Sequence, residues 1–223
     1  MKRIGIIGAM GCEIELLRAR MEDVTETVYA GRTFHHGKLG GKDTVLVCSG
    51  IGKVNSAMTA QILIDRYEVD AIINTGIAGG AGETKVRDVV VSTELTYHDM
   101  SQRILALGWP NLEYFTADAT LCKLAAEACE GRVECHTGRI VTGDQFIDSS
   151  EVKADIVARL DPLAVEMEGG AIAHVCAGNG IPFVVIRCIS DNADDGAEIS
   201  YETFEKLAAD DAANIVTSML EKL

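Results

Sequence analysis

The sequence predicts a single α/β domain spanning residues 1–223, and three observations carry that reading. The length of 223 residues suits one large core. Short apolar runs stop in glycine-containing or acidic turns and give way to segments with apolar residues spaced by three and four. Near the N-terminus, three strand-like segments follow one another with no helix between them, which predicts a sheet that is curled and partly antiparallel.

The first strand is Arg3 to Ile7, ending in Gly8-Ala-Met-Gly11, and Ile14, Leu17 and Met21 mark an amphipathic helix after it. A dinucleotide fingerprint would need glycine where Ile6 stands, so G-x-G-x-x-G fails. Glu13 falls in the first turn after the strand. A helix N-terminus favours the ionised acid, and open α/β sheets gather ligands at this edge, so Glu13 is a candidate carboxylate base. An ordinary first-turn glutamate is the alternative.

Thr25 to Ala30, Thr33 to Leu39 and Thr44 to Cys48 read as strands, with Gly40-Gly-Lys-Asp43 as a hairpin turn. Ser49-Gly-Ile-Gly-Lys53 opens a helix carrying Val54, Ala57, Met58 and Ile62. A Walker A loop would need glycine at Val47 and Ser or Thr at Val54, which excludes ATP binding; a glycine loop at a helix start can still cradle a small ligand. Asp70 to Thr75 is a buried strand ending in Gly76-Ile-Ala-Gly-Gly80, and Lys85 to Glu94 is another. His98 and Asp99 are adjacent and point to opposite faces of an extended chain, which favours a structural role over an acid–base pair.

Ile104 to Phe115 reads as a long loop carrying the single tryptophan, Trp109, a feature suited to covering a site or meeting another subunit. Thr116 is expected to cap a helix through Leu121, Leu124 and Ala128. Cys135 to Val141 is a strand, after which Phe146 is available to stack on a flat ligand or to join the core. Ser150 to Leu160 is a helix. The turn Glu166-Met-Glu168 then leads into Gly169-Gly170 and a small-residue helix. Paired glycines near a helix start cost stability, and close backbone approach to a ligand or strand is the usual compensation. The last strand is Phe183 to Ile189, ending in Ser190-Asp191. Arg187 within it needs an anionic partner, and Asp191 is a second candidate site acid. Ser200 is expected to cap a final helix with the stripe Tyr201, Phe204, Ala208, Ile215 and Met219.

The composition narrows the function. With 34 acidic and 20 basic residues the net charge is −14, which argues against a nucleic-acid partner. The seven cysteines are odd in number, lack a C-x-x-C and mostly sit in apolar runs, as expected of reduced thiols in a cytoplasmic protein. Cys129, Cys135 and His136 fit no zinc spacing. The apolar run after Met1-Lys-Arg breaks within a few residues, against a signal peptide, and no stretch approaches the roughly 20 apolar residues of a membrane span. No metal or redox cofactor is suggested.

Strand ends thus gather Glu13, the Gly76–Gly80 turn, Phe146, and Ser190-Asp191, with the Glu166–Glu168 turn as a fifth element. Several acids, an aromatic and an arginine on one sheet edge suit cleavage of a glycosidic-type bond, which needs one protonated acid, one ionised base and a contact that fixes the sugar. Six motifs in order, Gly5-Ile-Ile-Gly-Ala-Met10 with Glu13, Ser49-Gly-Ile-Gly-Lys-Val54, Ile73-Asn-Thr-Gly76 with Ala78-Gly-Gly80, Gly143-Asp-x-Phe146-Ile147, Val165-Glu-Met-Glu168 and Arg187-x-x-Ser190-Asp191, resemble those of the 5′-methylthioadenosine/S-adenosylhomocysteine nucleosidases of the nucleoside phosphorylase superfamily. The resemblance covers essentially the whole chain.

It implies a twisted mixed central sheet flanked by helices, a homodimer, and hydrolysis to adenine and a thioribose. By residue-wise match, Asp191 would be the general acid at adenine N7, Glu13 the base for water, and Arg187 would hold the water side of the site with Glu13. Glu168 would accept from the ribose hydroxyls and Met167 would pack against the sugar. Phe146 would stack on adenine, and the Ile147 backbone would read its edge. The turns Met10, Ala78, Gly79 and Ser190 would border the nucleoside. Ile51 and Tyr201 would line the 5′-alkylthio pocket, together with Ile104 and Leu107 from the partner subunit. One departure stands out: the family usually has serine where this chain has Ile77, so a hydroxyl is lost and apolar bulk gained beside the proposed water. The alternatives are a nucleosidase for another 5′-substituted adenosine of the aminodeoxyfutalosine type, a purine nucleoside phosphorylase, and a non-catalytic nucleoside-binding protein. Phosphorylases of the superfamily carry arginines at the first glycine turn, where this chain has Gly11, Cys12 and Glu13.

Overall fold

Alternation in the buried strands decides the layering. In β1 (Arg3–Gly8), Ile4 and Ile6 join one apolar cluster and Ile7 the other. β5 (Ala71–Gly80) and β10 (Phe183–Asp191) repeat the pattern, with Ile73 and Ile186 on the first face and Ile72 and Val185 on the second. Strands buried on both faces need helices on both, and the chain supplies them. The first face is covered by α1 (Gly11–Arg20), α4 (Ala119–Cys129) and α7 (Ala197–Lys222), the second by α2 (Lys53–Tyr67) and α6 (Gly169–Asn179). The computed structural model describes residues 1–194 and 197–223, with Ile199 described by its backbone alone.

The remaining elements are β2 (Glu22–Tyr29), β3 (Arg32–Leu39), β4 (Lys42–Cys48), β6 (Val89–Tyr97), α3 (Gln102–Leu105), β7 (Phe115–Thr116), β8 (Cys135–Thr142), α5 (Ser150–Leu160) and β9 (Ala164–Glu166). The sheet runs β10-β6-β8-β9-β5-β1-β4-β3-β2, and β10 also pairs with β5. Five strands therefore close into a ring, from which β1, β4, β3 and β2 extend as a wing. β1 lies parallel to β4 and β5, and β5 to β10, while β2, β3 and β4 form an antiparallel meander. The sheet is mixed and helix-flanked, as the sequence indicates.

Several boundaries differ from the sequence reading. Thr116 ends β7 and does not cap α4; Asp118 does, accepting from the Leu121 N–H at 2.9 Å. Ser200 is not the cap of α7, which has already begun at Ala197. Lys85 to Asp88 is a turn, closed by the Lys85 N–H on Asp88 Oδ2, and the strand begins only at Val89. The long loop contains the short helix α3. β2 begins at Glu22 and is exposed along its length as the sheet's edge.

The paired glycines that open α6 have the expected explanation. A Cβ on Gly170 would lie 2.7 Å from Thr142 Oγ1, and one on Gly169 would lie 2.9 Å from Leu95. The helix starts hard against β6 and β8, which fixes the preceding Glu166–Glu168 turn over the end of the ring.

Candidate active site

The carboxyl ends of β1, β5, β8, β9 and β10 open on one cavity of about 490 Å³. It is walled by Met10, Glu13, Ile51, Ile77, Ala78, Gly79, Phe146, Ile147, Met167, Glu168, Ser190, Asp191 and Tyr201, all of them residues singled out in the sequence. Ala9, Gln145, Val165, Glu166, Glu198 and Glu202 complete it. Ile104 and Leu107 are exposed and lie outside the cavity of their own chain.

Glu13 is held from the turn that follows β1 and from β5. Its Oε2 accepts from the Ala9 N–H at 2.6 Å and the Met10 N–H at 3.0 Å, so it closes the first turn of α1 on itself. Its Oε1 accepts from the Ile77 N–H at 3.0 Å. The two sequence readings of Glu13 are thus compatible: it caps its helix and faces the cavity. Burial pushes its pKa up, while Arg187 and the three N–H donors pull the other way.

Arg187 is 1% exposed and stands behind the cavity wall. Its Nη2 donates to Glu166 Oε2 at 2.5 Å and to Asn74 Oδ1 at 2.7 Å, and lies 3.6 Å from Glu168 Oε2. The anionic partner that the sequence required is therefore Glu166 first. Glu166 also accepts from Thr142 Oγ1 and from the N–H groups of Glu168 and Gly169. This clamp fixes the turn that presents Glu168. Arg187 thus reaches the cavity through other side chains, as a positioning residue. Gly76 makes the crossing possible: it pairs with Arg187 in register, and a Cβ there would lie 2.3 Å from Glu13 Oε1 and 2.9 Å from Arg187 Nη1.

Glu168 Oε1 accepts from the Gly52 N–H at 2.8 Å. Burial, with Glu166 beside it, raises the Glu168 pKa to about 7. The next N–H, that of Lys53, donates to Asp144 Oδ1 at 2.8 Å. The glycine loop that opens α2 therefore spends its N-terminal donors on two carboxylates of the chain itself, which leaves no ready cradle for a phosphate there.

Asp191 ends β10. Its Oδ2 accepts from Ser190 Oγ–H at 2.8 Å and its Oδ1 from the Ala193 N–H at 2.8 Å. Burial raises its pKa against these hydrogen bonds. A Cβ on Gly79 would approach Asp191 Oδ1 to 3.1 Å, so the glycine admits the acid to the end of β5. Phe146 stands across the cavity, edge-on to Tyr201 at 5.7 Å, and the Tyr201 hydroxyl donates to Met10 Sδ at 3.3 Å. Three buried acids with raised pKa values face an aromatic slot, an arrangement able to hold a proton for a leaving group and to orient a water. His98 is buried against Gly143, and Asp99 pairs with Lys53, so this couple is structural. Among the described residues, no group of three or more His, Cys, Asp or Glu side chains could hold a metal ion, and no helix is long and apolar enough to cross a membrane.

A model of the phosphorylase superfamily matches residues 3–221. A 5′-methylthioadenosine/S-adenosylhomocysteine nucleosidase of Exiguobacterium sp. is 42% identical over 99% of this chain and 98% of its own length. The chain belongs to the 5′-methylthioadenosine/S-adenosylhomocysteine nucleosidase family. The nucleosidase of Neisseria meningitidis, solved in complex with methylthio-immucillin-A, superposes with a TM-score of 0.95 at 41% identity and complete coverage of both chains. A futalosine hydrolase of Helicobacter pylori reaches a TM-score of 0.93 at 33% identity, covering 100% of this chain and 98% of its own.

Ile77 makes the backbone contact to Glu13 while its side chain, 7% exposed, is shared between the cavity and the core. Of the residues that sequence reasoning left without a role, Glu166 carried a usable signal, since a buried arginine demanded an acid and Glu166 stood beside the proposed ribose ligand. Glu198 and Glu202 carried none, because solvated acids are ordinary on a surface helix.

Proposed function

We propose that the chain hydrolyses the N-glycosidic bond of 5′-methylthioadenosine and S-adenosylhomocysteine, releasing adenine and the 5′-thioribose. The observation that carries this reading is the cavity wall itself, which bears carboxylates and no lysine, arginine or histidine among the described residues. A phosphate co-substrate needs basic donors, and here it would meet repulsion; water needs only an acceptor.

Asp191 is the general acid. Burial favours its protonated form, and delivery of that proton to adenine N7 lets the base leave neutral. Glu13 is the general base. Its three backbone N–H donors hold the carboxylate in place, and Arg187 behind it favours ionisation. Glu168 accepts from the ribose hydroxyls and Met167 packs against the sugar. Phe146 stacks on adenine and the Ile147 backbone reads its edge, while Ile51 and Tyr201 receive the 5′ substituent. The protein works as a cytoplasmic homodimer, in which the exposed Ile104 and Leu107 of the α3 segment close the 5′ end of the partner's site.

Chromatography of the products formed from 5′-methylthioadenosine, with and without phosphate, tests the reading. Adenine and free methylthioribose are expected in both buffers. A phosphate requirement with a sugar phosphate as product would make the protein a phosphorylase, and absence of adenine in both would leave a binding protein or a nucleosidase for another 5′ substituent.

A further inference from the structure

Six carboxylates border the cavity: Glu13, Glu166, Glu168, Asp191, Glu198 and Glu202. The first four are buried and belong to the chemistry already described. Glu198 and Glu202 differ. Both are exposed, both stand on α7, and they flank Tyr201 at the mouth of the cavity. Their spacing of four residues places them on one helix face, where like charges repel. The helix N-terminus accounts for an acid at Glu198, in the first turn, but not for a second one a turn further on. Neither carboxylate is paired with a cation among the described residues, so their charge is directed at whatever enters.

We propose that Glu198 and Glu202 make the 5′ end of the site charge-selective: it accepts 5′ substituents that are neutral or end in an ammonium group, and disfavours those that end in a carboxylate. This rests on the nucleoside orientation given above, with the 5′ end against Tyr201. A methylthio group then meets only the apolar wall of Ile51, Met10 and Tyr201. An amino-acid tail turns its ammonium toward α7 and its carboxylate to solvent. A tail with a carboxylate alone has no favourable partner there. Both acids are water-exposed, so each contributes a factor of about two to five to the cation-over-anion affinity ratio at low ionic strength.

The test uses 5′-deoxyadenosines bearing 2-aminoethylthio or 2-carboxyethylthio groups, of nearly equal length and opposite charge. Dissociation constants are read by titration calorimetry on the Asp191→Asn variant, so that turnover does not intervene; Glu13→Gln serves if Asp191→Asn fails to fold. The ammonium analogue is expected to bind about tenfold more tightly than the carboxylate analogue at low salt. Glu198→Gln with Glu202→Gln should bring the ratio to within about twofold, and roughly 0.5 M salt should do so in the parent. Equal affinities in the parent, a ratio unmoved by the double substitution, or failure of both analogues to bind would overturn the proposal. The hydrolase reading stands or falls separately, on adenine release from 5′-methylthioadenosine by the unsubstituted protein.

Discussion

The Ile77 N–H donates to Glu13 Oε1 at 3.0 Å, so the position where the resemblance implied serine still holds the proposed base through its backbone. A substitution there changes the side chain and leaves that hydrogen bond in place. Ile77→Ser is therefore expected to keep or raise kcat/KM for 5′-methylthioadenosine. It should also lose about 2–4 kcal/mol of stability in urea denaturation, because Ile77 packs in the core. A folded Ile77→Ser protein without activity would mean that this end of β5 holds water differently.

Asp191→Asn keeps the shape of the side chain but cannot deliver a proton. Turnover should fall by about 10²–10⁴-fold, with ligand affinity changed far less. Glu13→Gln should lose a similar factor. Near-normal kcat in either variant, measured by adenine release, would remove that residue from its role.

Glu166 and Arg187 are both nearly excluded from solvent, so removing Glu166 costs Arg187 its closest acid and leaves only Glu168, at 3.6 Å, and Glu13 to balance a buried charge. Glu166→Ala is expected to destabilise the protein by about 3–5 kcal/mol in chemical denaturation. Glu166→Gln combined with Arg187→Met, which removes both charges, should be substantially less harmful than the sum of the two single changes. Strict additivity would show that the two side chains do not depend on each other.

Glu168 supplies a pH signature. Its pKa in the fold is raised to about 7 from the ordinary 4.5. The folded state thus holds this proton more tightly than the unfolded chain does. The resulting stabilisation is complete below about pH 4.5 and disappears as pH rises through 7. It amounts to at most about 3 kcal/mol. Glu168→Gln, which cannot ionise, should therefore compare better with the unsubstituted protein at pH 8 than at pH 5 in thermal denaturation. A difference in Tm that is constant with pH would count against the buried-acid assignment.

Much of this was legible in the residues. Apolar runs located β1, β5 and β10, and the strand-end residues Glu13, Phe146 and Asp191 converge on one cavity as their positions suggested. The sheet's closure into a ring was not legible, because β9 is only three residues long and its pairing with β5 and β8 depends on tertiary position. The caps of α4 and α7 were misplaced for a local reason: Thr116 and Ser200 are good capping residues, but Asp118 accepts from the Leu121 N–H and Ala197 had already begun the last helix. Arg187 announced its need for an acid. That it would stand behind the wall, served by Asn74 as well as Glu166, follows from the parallel register of β5 and β10, which no local pattern encodes.

That register has a further consequence for how the protein responds to a ligand. Glu13, Ile77, Glu168 and Asp191 are contributed by segments far apart in the chain, and two of the acids are held by backbone from another segment, Glu13 by the Ile77 N–H and Glu168 by the Gly52 N–H. No fragment can assemble the cavity before β1, β5, β9 and β10 have all docked, so the site depends on long-range closure. A molecule bound there opposes global opening and does more than quiet one loop. At a concentration 100 times its Kd it adds about 2.7 kcal/mol to the unfolding free energy. The slowest-exchanging amides of β1, β5 and β10 should then slow together.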